Sequence, residues 1–528
     1  MRKKYRLAAA LLALSLSLAA CGGSANKDQS SAQGESSASS SETGSSESAA
    51  KDELIVATGY EASSLDPVAQ NEVAATNAMI QIFEGLVEVN EAGELLPKLA
   101  ETWEVQDNQT FTFHLRSGVK FHNGEAFTAA DVQYSLERAA KAAAVSTYFG
   151  DINLSSFETP DDLTIRFSLN KPNSAFLSYL AHSGAFIVNK KAVEEAGDST
   201  GVQPVGTGPF KLESWTKNDR MVLTRFDEYW GTKPAYKTLV LRPITEKQNR
   251  AIELETGNVD IAYQIAPLDM ERLESDPGVE LIRQPINSTT YLGFNLRNEI
   301  LAKKEVRQAI SEALDVDTMV NSVFKGVGSP ASGFMPTSLK YSIAGEKQNT
   351  PQDLEAAKQL LQDAGYPNGF SIRIMTNENQ DRIDMATIMK AELEKVGINV
   401  TIETLEWTTF LEQLKTSNYD MYILGWSMSI NDPDVALYPL LHSSASAEGS
   451  NYTHFENAQF DALLEKGRLL SDGEEREKVY REAQELLYEE RPFLPLAETE
   501  YVYGTRTNVA NFDPTPFAFN TLFNVSFK

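Results

Sequence analysis

Cysteine is almost missing from this chain of 528 residues; Cys21 is the only one. A lone thiol excludes an intrachain disulfide and a thiolate metal cluster. Histidine is scarce too. His114, His122, His182, His442 and His454 form no HxxxH or HExxH arrangement, which argues against the common catalytic zinc and leaves no metal site to name. With so few histidines, no Ser-His nucleophile pair can be argued either, and no catalytic residue is assigned. Basic residues are outnumbered, 47 Lys and Arg against 74 Asp and Glu, for a formal charge of −27. Arg2, Lys3, Lys4 and Arg6 stand at the extreme N-terminus, so the remainder is more acidic still. Such a surface disfavours nucleic acid and anionic membrane as direct partners. A long apolar run is also wanting: Leu7 to Ala20 is short and rich in Ala and Ser, which makes it a poor membrane span.

What is present sorts into segments. Residues 1–20 combine a basic start, an apolar stretch and small residues, the pattern of a secretion signal. Leu18-Ala19-Ala20-Cys21 resembles the lipobox of bacterial lipoproteins, in which the cysteine becomes the lipid-modified first residue. Residues 21–50 collapse to Ser, Gly, Ala, Glu and Asn, too little apolar surface to fold. As a flexible coil this tether holds the folded part of the chain about 30 Å from its anchor. Folded sequence starts near Glu53 with Leu54-Ile55-Val56-Ala57, a strand. Thr110 to Leu115 alternates as a half-buried strand, and Thr128 with Asp131 opens a helix.

The second half reads as a separate α/β unit. Glu305 to Lys325 keeps one apolar helical face throughout. Phe370–Met375, Ile398–Leu405 and Tyr419–Leu424 are expected strands, separated by helices over Asp381–Val396 and Trp407–Leu414. That β-α-β-α-β order implies a parallel sheet, with a ligand at the strand ends near Thr376, Glu406 and Trp426. The loop after Leu424 carries Trp426, Ser427, Ser429, Asn431, Asp432 and Asp434, an aromatic residue followed by hydroxyl, amide and carboxylate groups. Such a cluster at a strand end suits one wall of a ligand cleft.

Pro204-Val205-Gly206-Thr207-Gly208-Pro209-Phe210, with Phe226-Asp227-Glu228-Tyr229-Trp230-Gly231 beyond it, resembles a segment of the family 5 solute-binding proteins. Leu115 to Gly124, Gly257 to Ile261, Val306 to Ile310 and Gly425-Trp426 are similar to the same family in the same order. The resemblance implies an α/β fold of the type II periplasmic-binding-protein kind. Two lobes would be joined by a two-segment hinge, with an extra subdomain in the first lobe. Lobe I would span 51–285, with the subdomain inserted at about 90–200, lobe II 286–494, and 495–528 would return to lobe I; the crossings fall near 283–291 and 491–500. It also implies a monomeric lipoprotein on the outer face of the cell membrane that passes small peptides, dipeptide, oligopeptide or glutathione-like, to an ABC permease and ATPase. No cofactor is implied. Relatives in the family carry nickel chelates or haem, and for that reading His442 or His454 near the cleft is the feature to test; a transport-free surface sensor or adhesin would keep the same fold.

In peptide-binding members of the family an acid shortly after Gly-Trp holds the ligand amine, and an arginine earlier in that lobe holds the carboxylate. Arg382 matches the arginine. Three residues after Trp426, however, stands Ser429, and the first carboxylates are Asp432 and Asp434. Either Asp432 reaches back to the amine, or the ligand has no free amine there and is held by hydroxyls. Further candidates for the pocket are Tyr60, Glu61, Ser183, Gly184, Asn295 and Trp407, beside Trp426 and Ser427.

Overall fold

The computed structural model describes residues 51–90, 93–446 and 449–528. The signal segment, Cys21 and the tether lie outside the described residues. Among the described residues no helix is long and apolar enough to cross a membrane.

Two long strands organise an 11-stranded mixed sheet. Val279–Phe294 has 16 residues and Phe493–Arg506 has 14, and they pair antiparallel. On one side of them, Ile261–Ala262 pairs with the second long strand, Glu53–Thr58 follows, and Thr238–Pro243 runs parallel beyond it. The hairpin Phe210–Thr216 and Arg220–Arg225 ends that side. On the other side Met421–Ser427 lies antiparallel to the first long strand, and Phe370–Asn377 and Ile398–Leu405 continue in parallel. The sheet therefore has two halves that share only the two long strands. Their ladder slips between Pro285 and Thr289 and again between Thr290 and Tyr291. A bulge where proline withholds an N–H is where a paired ribbon bends most readily.

Local sequence explains the second half well. Asp353 accepts hydrogen bonds from the Glu355 and Ala356 amides, Asn379 from Arg382 and Glu406 from Thr409, so each helix begins at an acid or amide cap. Leu292, Ile310, Met385 and Ile423 fill one core between helices and sheet. The expected single helix over Glu305–Lys325 is two, Lys304–Ala313 and Val316–Phe324. Asp315 takes the Thr318 amide at 3.0 Å and caps a new helix. The apolar period runs through that break, which is why periodicity alone misses it.

A separate four-stranded antiparallel sheet, Ala100–Gln106, Thr110–Leu115, Thr164–Ser168 and Glu158–Asp161, forms a subdomain beside the large one. The Gly206 to Phe210 segment ties it to the first half: the Gly208 amide donates to the Ile82 carbonyl, and the His122 amide to the Gly206 carbonyl, both at 2.9 Å. A Cβ on Gly206 would lie 2.1 Å from the Ile82 oxygen, so this passage admits only glycine. The subdomain reaches the second half as well. The Ser174 amide donates to the Arg468 carbonyl at 2.7 Å, and the Tyr179 hydroxyl to the Asp434 carboxylate. Its core, with Phe113 and Phe176, is continuous with Phe410, Leu437 and Phe460.

Candidate functional site

At the level of the bulge, between the two halves of the sheet, lies a cavity of about 1310 Å³. That exceeds the roughly 300–1,000 Å³ of most small-molecule pockets. The first half contributes the loop after its first strand, Trp215 and Tyr263; the second contributes Asn377, Asn379, Asp381, Arg382, Trp407, Gly425 to Ser427 and Ser429; Ser288, Thr290 and Tyr501 come from the two long strands.

The wall on the second half follows from strand geometry. Side chains of one strand face alternate sides, so Ser288 and Thr290 share a face, and pairing sets them opposite Ser427 and Gly425. Trp426 points away from the ladder and donates from Nε1 to the Val435 carbonyl at 2.8 Å, which fixes its ring against the helix Pro433–Leu441. Gly425 leaves a gap that Arg382 fills: a Cβ at 425 would stand 3.1 Å from Nη2 of Arg382. Nη1 donates to Asn377 Oδ1 at 2.8 Å. The nearest acid in the chain, Asp381, is taken by Lys247 at 2.7 Å. Desolvation lowers the Arg382 pKa, opposed by Tyr60, Tyr291, Tyr501 and Asp381; a guanidinium stays cationic there all the same. Arg382 is thus a desolvated cation with no carboxylate within ion-pair distance among the described residues.

Two contacts cross the cleft from this same turn. Asn379 Nδ2 donates to the Tyr60 hydroxyl at 3.3 Å, and Lys247 of the first half holds Asp381. Tyr60 is 47% exposed and stands at the mouth. Deeper in the first half Glu61 accepts from Trp215 Nε1 at 2.8 Å and from the Asn218 amide, while Lys217 Nζ sits 3.4 Å above the Trp215 ring.

The family model for bacterial extracellular solute-binding proteins, family 5 (middle region), matches residues 94–448. The chain belongs to that family. It is 30% identical to heme-binding protein A of Haemophilus influenzae, over 99% of both chains. It is 31% identical to the dipeptide-binding protein of Escherichia coli, over 82% of this chain and 86% of that one. Among solved structures, the ABC transporter-associated periplasmic binding protein DppA of Helicobacter pylori, in complex with the peptide STSA, superposes with a TM-score of 0.85. That match is 30% identical and covers 90% of this chain and 98% of DppA. The fold is therefore that of the periplasmic binding proteins, and the family consists of extracytoplasmic proteins that bind solutes rather than transform them.

In this solute-binding protein, Tyr60, Glu61, Ser183, Arg382, Trp407, Trp426, Ser427 and Ser429 all line the cavity. Three other expected site residues do not. Asp432 is a helix cap that takes the Asp434 amide, and both its oxygens are held at 2.9 Å by the buried Arg476, so it cannot reach back to a ligand amine. Asn295 donates to the Tyr419 and Ser417 carbonyls at 2.7 and 3.2 Å and closes a turn. Gly184 packs into the subdomain, where a Cβ would meet Val145 at 2.9 Å and Phe149 at 3.0 Å. Thr376 is likewise buried away from the cleft, and its neighbour Asn377 lines it instead. Sequence reasoning missed Ser288, Thr290, Asn377 and Tyr501; the polar run Asn287 to Thr290 inside an apolar strand was the available signal.

His442 stacks on Tyr438 at 4.0 Å and shares Nδ1 with Ser444, and His454 is held by Ser417 and Ser446; neither lines the cavity. Among the described residues no group of three or more His, Cys, Asp or Glu is placed to hold a metal ion. One G-x-S-x-G string exists, Gly197 to Gly201, but it lies in a 3-10 segment after the helix Lys190–Ala196. A hydrolase elbow needs a strand-to-helix turn with a histidine partner.

Proposed function

We propose that this protein is the receptor of an ABC importer for small peptides, anchored outside the membrane through a lipid on Cys21 and working as a monomer without catalysis. The lobes 51–285 and 286–494, with 495–528 returning to the first, close on the ligand by bending at the bulge in the two long strands. The observation that carries the reading is Arg382, a cation without a carboxylate partner that lines a large cleft between the two halves of the sheet. A ligand carboxylate completes it. Aromatic and hydroxyl walls supply the rest of the affinity by enclosing the ligand away from water. The relatives named for dipeptide and for bound peptide support the same reading. Native mass spectrometry of the protein after gentle release tests it: a co-purified peptide is expected, and titration of the stripped protein with di- to tetrapeptides should give micromolar or tighter binding. Absence of binding across such a panel refutes it.

The relative named for heme favours one other reading. Haem titration followed in the Soret region decides between them, with no saturable shift expected, because His442 and His454 lie outside the cavity.

A further inference from the structure

The charges around the cavity are unevenly placed: Ser288, Thr290, Ser427 and Ser429 bring hydroxyls and no carboxylate to it. Six carboxylates line it elsewhere, three held in ion pairs and three by neutral donors only. Asp381 pairs with Lys247, Glu412 with Lys415 and Glu500 with Arg283. Glu61 is taken by the Trp215 indole and the Asn218 amide, and Glu72 by the Ser63 hydroxyl. Glu406 caps its own helix through the Thr409 amide. The two remaining acids of the expected loop, Asp432 and Asp434, are consumed by the buried Arg476 and Arg468. On the positive side Arg382 has only a neutral partner, Asn377, and Lys217 only the Ala62 and Ser63 carbonyls and the Trp215 ring. Three residues after Trp426, where the resemblance to peptide receptors implies an acid, stands Ser429, which lines the cavity together with Ser288, Thr290 and Ser427. None of these four hydroxyls has a hydrogen-bond partner among the described residues.

A hydroxyl is both donor and acceptor and suits a neutral amide or acyl group. An ammonium placed against it would be desolvated without a counter-charge. Resting on the peptide reading above, we propose that the cleft selects small peptides and amino-acid conjugates whose amine is acylated or otherwise neutral. Arg382 takes their carboxylate, and the hydroxyls of Ser288, Thr290, Ser427 and Ser429 receive their amide groups.

Isothermal titration of the ligand-stripped chain with one di- to tetrapeptide series in free, N-acetylated and C-amidated forms tests this, alongside the variant Ser429→Asp. The wild type is expected to bind N-acetylated peptides at least tenfold more tightly than their free-amine forms, and to lose at least thirtyfold on C-amidation. Ser429→Asp is expected to move the ratio at least tenfold toward the free amine. A wild type that binds free-amine peptides as tightly as acetylated ones overturns the proposal and leaves the peptide receptor standing. So does a ratio that Ser429→Asp does not move. If no form of any peptide binds, the underlying reading fails with it, and the two failures are told apart.

Discussion

Gly425→Ala is a one-carbon perturbation that separates binding from folding. The new methyl would stand 3.1 Å from Nη2 of Arg382, whereas its other neighbours, Thr290 Oγ1 at 3.7 Å and the Thr289 carbonyl at 3.9 Å, are ordinary contacts. The guanidinium has to give by a few tenths of an ångström while Asn377 holds its other nitrogen at 2.8 Å. Removing one partner of a desolvated charge pair costs about 2–5 kcal/mol; displacing it this far forfeits a fraction, about 1–2 kcal/mol. At about 1.4 kcal/mol per tenfold, the Kd for a peptide carboxylate rises roughly 5- to 30-fold. Stability moves the other way, because glycine inside a strand is worse than alanine by roughly 0.5–1 kcal/mol. Calorimetric titration beside thermal melting reads both. In an Arg382→Ala background the alanine at 425 should have almost no further effect on affinity, since the two act through one contact. A Kd within twofold of wild type, affinity lost together with melting temperature, or simple additivity in the double variant would each refute the reasoning.

Asp432→Ala should lower stability by about 3–5 kcal/mol, because the buried Arg476 loses both its 2.9 Å bonds to that carboxylate. The value falls toward the lower end where Asp472, 3.0 Å from Arg476, takes up part of the charge. Ligand affinity of the folded variant should be unchanged, and a stable variant that no longer binds peptide would put Asp432 back in the site. Lys247→Ala removes an ion pair across the cleft that is about 30% exposed on each side; such pairs are worth under about 1 kcal/mol. The Kd should rise by no more than about fivefold, and the difference should vanish near 1 M salt; an effect that persists there would mean the contact is not electrostatic. His182 is buried, and its Nδ1 accepts the Gly184 amide, so desolvation pulls its pKa down to about 4. The folded value lies below the unfolded 6.5, so its contribution is complete above pH 6.5 and is lost as pH falls through about 4. Melting temperature should decline across that window, less steeply in His182→Gln; equal slopes would assign the decline to other groups.

Segments governed by neighbours in sequence were legible. Asn379 and Glu406 start the two expected helices because a side chain two or three residues before an amide can cap it, and the strands of the second half follow their apolar runs. Legibility failed first at Asp315, where a cap interrupts an apolar period that continues on both sides. It failed again at the loop after Trp426, for a different reason. Asp432 and Asp434 look free in the sequence because the arginines that take them lie 44 and 34 residues further on, on two other helices. Ser427 looks incidental there, yet it joins Ser288 and Thr290 in one wall because the first long strand pairs beside it, and Ser429 lines the same cavity. Which acids remain free in the cleft is thus decided by long-range pairing. A receptor's charge preference follows from the groups its own fold leaves without a counter-charge, and beside Gly425 that group is Arg382.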